Sequence, residues 1–325
     1  MSFEIPILLV TWRRPDTTRE LIKALRAVKP RYIYVSSDGA RNADELNLVQ
    51  ATRDIIDREI DWDCQVKKRF SELNLGCEKG YGGAITWFFD HVEQGIILQD
   101  DCIPHPDFFV FCETLLDRYR YDFRVWHISG NNFQDGQWRG SGDYYFSYYP
   151  HDWGWATWRS RWANYSHSRM IWNEVRIEKD FLQSAISDSV ERSYWKEIWE
   201  RLFSTGEPDS CSYHWILVCL ANQGLAILPN RNLVYNIGFG ADATHTFRSV
   251  SQGSTDDGLV INNHPVLIYQ DKKADAYTFK SHFGGDQYRR SRSLVWSCFI
   301  RVKLLFARPL YYPVKLFRLL RRALS

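Results

Sequence analysis

A chain of 325 residues exceeds the usual size of one core, so either one large domain with insertions or a domain with an appendage is expected, with length to spare for a cleft. Its 41 Lys and Arg against 39 Asp and Glu leave a formal charge of +2, which excludes a general nucleic-acid-binding surface. Aromatic residues make up 16% of the chain, with 14 Trp, whose faces either stack on sugar rings or fill a core.

In chain order, strand and helix signals alternate through the N-terminal part, the pattern of a mostly parallel sheet covered on both faces. Residues 5–11 read as a strand, and after Pro15 the apolar Leu21, Ile22, Leu25 and Val28 recur at helical spacing. A second strand over 32–37 stops at Asp38-Gly39, a helix follows through Val49, Ile55 and Ile56, and 66–70 reads as a third strand. After the glycine-rich loop at 76–83, Ala84, Ile85, Phe88 and Phe89 form another helical face. Residues 95–99 are short and apolar, as a buried central strand should be, and run into Asp100-Asp101. A helix over 107–119 and a strand over 125–129 come next. From 131 to 169 periodicity fades and Gly, Trp and Tyr dominate, which predicts a loop-rich, ligand-facing stretch. Helical signals return over 181–203 and 213–221, with a strand at 225–228.

Seven cysteines, widely spaced and without a CxxC pair, read as reduced thiols of a cytoplasmic protein. The first residues carry no basic signal-type region, and no apolar run approaches the roughly 20 residues that span a bilayer.

Two adjacent carboxylates at a strand end repel one another, and a divalent cation is the usual compensator. Hard oxygen ligands suit Mn²⁺ or Mg²⁺, which also hold phosphates. In open α/β sheets ligands bind beyond the carboxyl ends of the strands, where this pair is expected. Taken alone, Asp100-Asp101 reads equally as a turn before a helix.

The segments Leu8-Val-Thr-Trp-Arg-Arg-Pro15, Val35-Ser-Ser-Asp-Gly39, Asn74-Leu-Gly-Cys-Glu-Lys-Gly80 and Ile97-Leu-Gln-Asp-Asp-Cys-Ile-Pro-His-Pro-Asp-Phe-Phe109 stand in a telling order. Over about residues 4–248 the chain resembles GT-A fold glycosyltransferases, N-acetylglucosaminyltransferase I and its bacterial relatives in particular. The resemblance implies a Rossmann-like α/β fold with a C-terminal helical appendage. It also implies inverting transfer of a hexosyl or N-acetylhexosaminyl group from a nucleotide-diphosphate sugar, a UDP-sugar, to a glycan or lipid-linked acceptor.

Thr11, Arg14, Asp38, Lys79 and Asp100 would then bind the nucleotide sugar, and Asp101 with His245 would ligate Mn²⁺ or Mg²⁺. The residue types leave Arg14 and Lys79 equally readable as solvated cations. In His151-Asp-Trp-Gly-Trp, Trp153, Gly154 and Trp155 would lie beside donor and acceptor sugars, with buried packing as the competing explanation. The catalytic and nucleotide-sugar-binding domain would occupy 1–250, its acceptor-side elements 131–250, a connecting segment 251–293 and a basic amphipathic tail 294–325.

Two departures from that pattern stand out. Gln99 replaces the leading Glu of the metal motif, and Ser212 holds the position that matches the family's catalytic base. Serine cannot serve as that base, so the nearby Asp209 is the first candidate, with His214 and Asp152 behind it. A catalytically weakened or non-catalytic glycan-binding protein is the alternative. A nucleotidyltransferase is disfavoured, because Thr11-Trp-Arg-Arg-Pro15 is not its glycine-rich loop. The tail mixes Trp296, Phe299, Leu304 and Phe306 with Arg301, Lys303 and Arg308, which suits either the anionic inner face of a membrane or packing against the body.

Overall fold

The structure is a computed structural model in which residues 2–239 and 258–292 are described. The expected ligand His245 and the tail 294–325 therefore lie outside the described residues.

The elements run β1 (Ile7–Thr11), α1 (Pro15–Val28), β2 (Tyr32–Ser37), α2 (Ala43–Glu59) and β3 (Gln65–Phe70). A π-helical turn (Cys77–Gly82) leads into α3 (Gly83–Phe89), β4 (Gln94–Gln99), β5 (Cys102–Pro104), α4 (Pro106–Arg118) and β6 (Val125–Ser129). Then come β7 (Tyr144–Ser147), β8 (Trp155–Trp158), α5 (Arg159–Trp162), α6 (Ser168–Val175), α7 (Lys179–Ala185) and α8 (Ser189–Thr205). The described chain continues through α9 (Cys211–Ala221), β9 (Leu225–Pro229), β10 (Val234–Asn236), α10 (Lys272–Ser281) and α11 (Gly285–Arg292).

Eight strands form one mixed sheet in the order β3-β2-β1-β4-β8-β6-β9-β7. Six run one way, and only β8 and the edge strand β7 oppose them. This is the α/β architecture that the alternating signals predict. α1 starts at Pro15, whose fixed φ suits a first helical turn, and lays Leu21, Ile22 and Leu25 against one sheet face with α2 and α4. The opposite face is covered by α3 and α9 through Ile85, Phe88, Trp215 and Val218. A third apolar cluster joins α6, α8 and α9 to Phe279 of α10.

Two expectations need correction. The 131–169 stretch contains two strands, and β8 lies at the centre of the sheet between β4 and β6. All four residues of β7 and of β8 are buried, so neither strand shows the apolar-polar alternation by which a strand is recognised. The segment 258–292, expected as a connection, contributes α10 and α11. Asp275 of α10 accepts hydrogen bonds from Tyr148 N (3.1 Å) and from Ser147 Oγ, and Thr278 Oγ1 accepts one from Gln134 Nε2 (2.8 Å). These bonds fasten the helix to the end of the sheet.

Candidate active site

In the run β3-β2-β1-β4 the strand order reverses between β1 and β4, and such a switch point opens a crevice beyond the strands' carboxyl ends. β4 ends there in Asp100-Asp101 and β1 in Thr11. Both carboxylates are buried, at 6% and 8% exposure. Asp100 N donates to Val10 O (3.0 Å) and Asp100 Oδ2 accepts from Trp12 N (3.0 Å), so the pair is tied to the neighbouring strand. Arg14, at the start of α1, sets Nη1 2.5 Å from Asp101 Oδ2 and 3.7 Å from Asp100 Oδ1. Burial, then the neighbouring Asp101, pushes the Asp100 carboxyl up to about 7, while Arg14 and the Trp12 N–H oppose the shift. Behind the pair, Ile237 N donates to Asp101 O (2.8 Å). A Cβ on Gly238 would stand 2.1 Å from Asp101 Oδ2, so only glycine admits this approach.

Two clefts meet at this point. The first encloses about 470 Å³, within the roughly 300–1,000 Å³ of small-molecule sites, and is walled by residues of β1, β2, β3 and the 74–80 loop. Thr11 Oγ1 is buried in it without a hydrogen-bond partner. Trp12 is held at the cleft wall: its Nε1 donates to Gly39 O (2.8 Å), and the guanidinium carbons of Arg13 and Arg41 lie over its ring at 4.7 and 4.5 Å. Asp38 accepts from Asn74 Nδ2 (3.0 Å), Leu75 N (3.0 Å) and Gly39 N (2.9 Å), which closes the loop against the end of β2. Arg41 and Arg69 add cations to the wall.

The second cleft, about 230 Å³, shares Arg14, Gln99, Cys77 and Tyr81 with the first. Asp152 lines it, and its Oδ2 accepts a hydrogen bond from Ser212 Oγ. Gln99 Nε2 reaches the Asp152 carbonyl at 3.4 Å. Trp153 is half-buried and makes edge contacts with Phe133 (5.1 Å) and Phe239 (5.7 Å). Burial pushes the Cys77 thiol up to about 11, so the sulfur shared by both clefts remains a neutral wall.

Several residues singled out in the sequence thus converge: Thr11, Arg14, Asp38 and Asp100 on the first cleft, and Asp101, Asp152, Trp153 and Ser212 on the second. Others stand elsewhere. Trp155 is 2% exposed, with its ring stacked on His127 at 4.6 Å and its Nε1 bonded to Tyr81 OH (2.8 Å), so its face is closed to a ligand. Gly154 is buried against Val234. Lys79 is exposed on the π-helical turn and lines neither cleft. His214 is buried against Ser168 Oγ (3.0 Å).

Asp209 lines the first cleft rather than the second. Its carboxylate accepts from Cys77 N (2.8 Å) and Glu78 N (2.7 Å), so the anion at that helical N-terminus is the protein's own. This geometry makes Asp209 an anchor of the 76–82 loop instead of a base facing the second cleft. Trp12, Arg41, Arg69, Asn131, His151 and His282 line the clefts without having stood out in the sequence. Of these, Trp12 and His151 fall inside the quoted motifs, whereas His282 lies far outside them.

Among the described residues no cluster of three or more His, Cys, Asp or Glu converges as a metal cage. Mg²⁺ and Mn²⁺ are commonly held by one or two carboxylates together with phosphate oxygens and water. Asp101 fits that limited role, with Arg14 competing for the same oxygen. No helix among the described residues is long and apolar enough to cross a membrane.

No protein-family model and no curated protein matches the sequence. Among solved structures the chain is similar to HddC from Yersinia pseudotuberculosis, at 11% identity over 48% of this chain and 77% of that one, with a TM-score of 0.31. The same protein complexed with GMP-PN matches at 11% identity over 47% and 77%, TM-score 0.30. UDP-glucose pyrophosphorylase complexed with UDP-glucose matches at 10% over 42% and 65%, TM-score 0.24. At identities of 10–11% and TM-scores of 0.31 and below, these likenesses say nothing of the clefts.

Proposed function

We propose that the chain is an inverting glycosyltransferase that moves a sugar from a nucleotide diphosphate, UDP, to a hydroxyl of a glycan or lipid-linked acceptor. The observation that carries this reading is the pair of clefts meeting over Asp100-Asp101 and Arg14 at the switch point of the sheet. The first cleft suits the nucleotide: the aromatic side chains of Trp12 and Phe70 line the wall beside the base, Asp38 and Asp100 serve hydroxyls, and Arg14 and Arg69 serve the diphosphate. The second suits the reacting sugars.

In this reading Asp152 is the base. Its carboxylate accepts the hydroxyl of Ser212, the position that the sequence resemblance matches to the family's base, and so stands where a base is wanted. Asp152 takes the proton of the acceptor hydroxyl, and that oxygen forms a bond to the anomeric carbon from the face opposite the diphosphate. The bond from the anomeric carbon to the diphosphate oxygen breaks, and UDP leaves with the electron pair. Arg14 stabilises the charge gathering on the departing diphosphate. A divalent cation held by Asp101 would supply further stabilisation of that charge.

The decisive experiment incubates the full chain with UDP-sugars and Mn²⁺ and follows UDP release and sugar transfer. Release that is lost in Asp152→Asn, with UDP affinity kept, supports the reading. Gln99 and Ser212, where carboxylates are expected, favour a second reading, a sugar-nucleotide- or glycan-binding protein without turnover. UDP binding with neither hydrolysis nor transfer across a donor panel would select it.

A further inference from the structure

The second cleft holds polar side chains whose hydrogen-bonding capacity is unused. Asn131, 1% exposed, has neither its amide nitrogen nor its amide oxygen paired, and His151 Nε2 and His282 Nδ1 are also buried without partners. Leaving such atoms unpaired is costly, and native proteins usually pair them with protein, water or ligand. Here four such atoms belong to three residues that line one cleft.

Their placement is rigid. Asn131 stands two residues beyond the end of β6. His151 is fixed through its backbone, its N–H donating to Ser129 Oγ (3.1 Å) while its carbonyl accepts from His127 Nε2 and Ser129 Oγ (both 2.9 Å). His282 arrives from the end of α10 and stacks on Phe133 at 3.8 Å, with ring planes 14° apart. His151 stands edge-on to that same Phe133 at 4.7 Å and 5.6 Å from His282. An aromatic wall thus carries two imidazoles and one amide on its rim.

Their chemistry narrows the ligand. Burial holds both imidazoles in the neutral form, His282 down to about 4 and His151 well below its ordinary value. The charged residues lining the cleft are Asp101, Asp152 and Arg14, and Arg14 is bonded to Asp101. An anionic ring would therefore meet carboxylates and neutral groups. A primary amide offers a donor and an acceptor about one hydroxyl spacing apart, and a neutral imidazole offers one of each, a set that matches adjacent hydroxyls and an apolar ring face.

We propose that Asn131, His151 and His282 form the recognition rim for the acceptor, a neutral hexopyranoside bound through vicinal hydroxyls, and that the cleft discriminates against uronic and other acidic sugars. The assignment of this sugar as the acceptor rests on the glycosyltransferase reading; the binding chemistry does not. It also makes the segment after 258 part of the substrate site.

The test titrates the full chain with methyl glucopyranoside, methyl galactopyranoside and methyl glucuronide by saturation-transfer NMR, and with UDP plus Mn²⁺ by calorimetry. His282→Phe keeps the ring stacked on Phe133 and removes only its nitrogens, and Asn131→Leu keeps the volume. Each is expected to weaken binding of the better neutral glycoside about tenfold while UDP affinity stays within about twofold. The glucuronide should bind at least about tenfold more weakly than that glycoside in the unaltered chain. Neutral glycosides that fail to bind, that bind equally in both variants, or that lose to the glucuronide would each overturn the proposal. Neutral-glycoside binding that depends on both side chains in a chain without affinity for UDP would support it while sinking the nucleotide-sugar reading.

Discussion

The two clefts share four lining residues yet are finished differently. In the first, the loop carboxylates bond to their own backbone: Asp38 holds Leu75 N and Asp209 holds Cys77 N and Glu78 N. Its sole buried side-chain oxygen without a partner, among the described residues, is Thr11 Oγ1. In the second, an amide and two imidazoles stand unpaired at the rim. A cleft closed by its own hydrogen bonds keeps its shape before a ligand arrives, whereas unpaired buried groups gain most when a ligand pairs them. Preorganisation therefore belongs to the proposed nucleotide side and unmet bonding capacity to the proposed acceptor side.

The sharpest way to break this division is Asp152→Asn. With Asp152 as base, turnover should fall by about 10²–10⁴-fold while UDP affinity is kept, measured by single-turnover transfer and calorimetry on the same preparation. Equal losses in the parallel variant Asp209→Asn would return the base to the first cleft.

Arg14 sits where the clefts meet, so its loss should be felt in both. Arg14→Ala leaves two buried carboxylates without their guanidinium and should destabilise the fold by roughly 3 kcal/mol in chemical denaturation. Mn²⁺ should restore part of that loss, since the cation and Arg14 would compete for Asp101 Oδ2. A variant that Mn²⁺ leaves unchanged would argue against Asp101 as a metal ligand.

Asp275 tests how firmly the outer wall of the second cleft is held. Burial raises its carboxyl from 3.8 to about 6, despite hydrogen bonds from Ser147, Gln270 and Tyr148. Between those values Asp275 holds its proton in the folded chain and loses it in the unfolded one, so its contribution to stability is full below about pH 4 and is lost as pH rises through about 6. The expected loss is on the order of 3 kcal/mol. Asp275→Asn should flatten that slope in melting curves between pH 4 and 8, and an unchanged slope would assign it to other groups.

The smallest expected effect is on the loop of the first cleft. Asp209→Ala should speed amide exchange at Cys77 and Glu78 and weaken UDP binding roughly tenfold, because the π-helical turn loses its cap. Unaltered exchange would mean that the loop is held by Asp38 alone.

Much of the N-terminal half was legible in the sequence because its signals are local. The strand at 7–11, the helix begun by Pro15 and the apolar run into Asp100-Asp101 each carry periodicity and a stop within a few residues of each other. The alternation of strand and helix then implies the sheet, and the motif order points to its carboxyl end as the site. β7 and β8 were hidden, since each has only four residues and lies in a stretch of Gly, Trp and Tyr with neither alternation nor a continuous aliphatic run.

Three site assignments depended on long-range packing. Trp153 and Trp155 are two residues apart, and the sequence treats them alike. The place of β8 inside the sheet buries the second, while the first remains in the cleft. Asp209 is nearest to Ser212 along the chain, yet Asp152, sixty positions away, is the carboxylate that meets it. His282 reaches the cleft only because α10 folds back onto β7. Residue type and local spacing placed Asp100-Asp101 at the carboxyl end of the sheet. The tertiary structure decided which other carboxylate, which tryptophan and which imidazoles line the clefts there, because those contacts join segments that nothing local brings together.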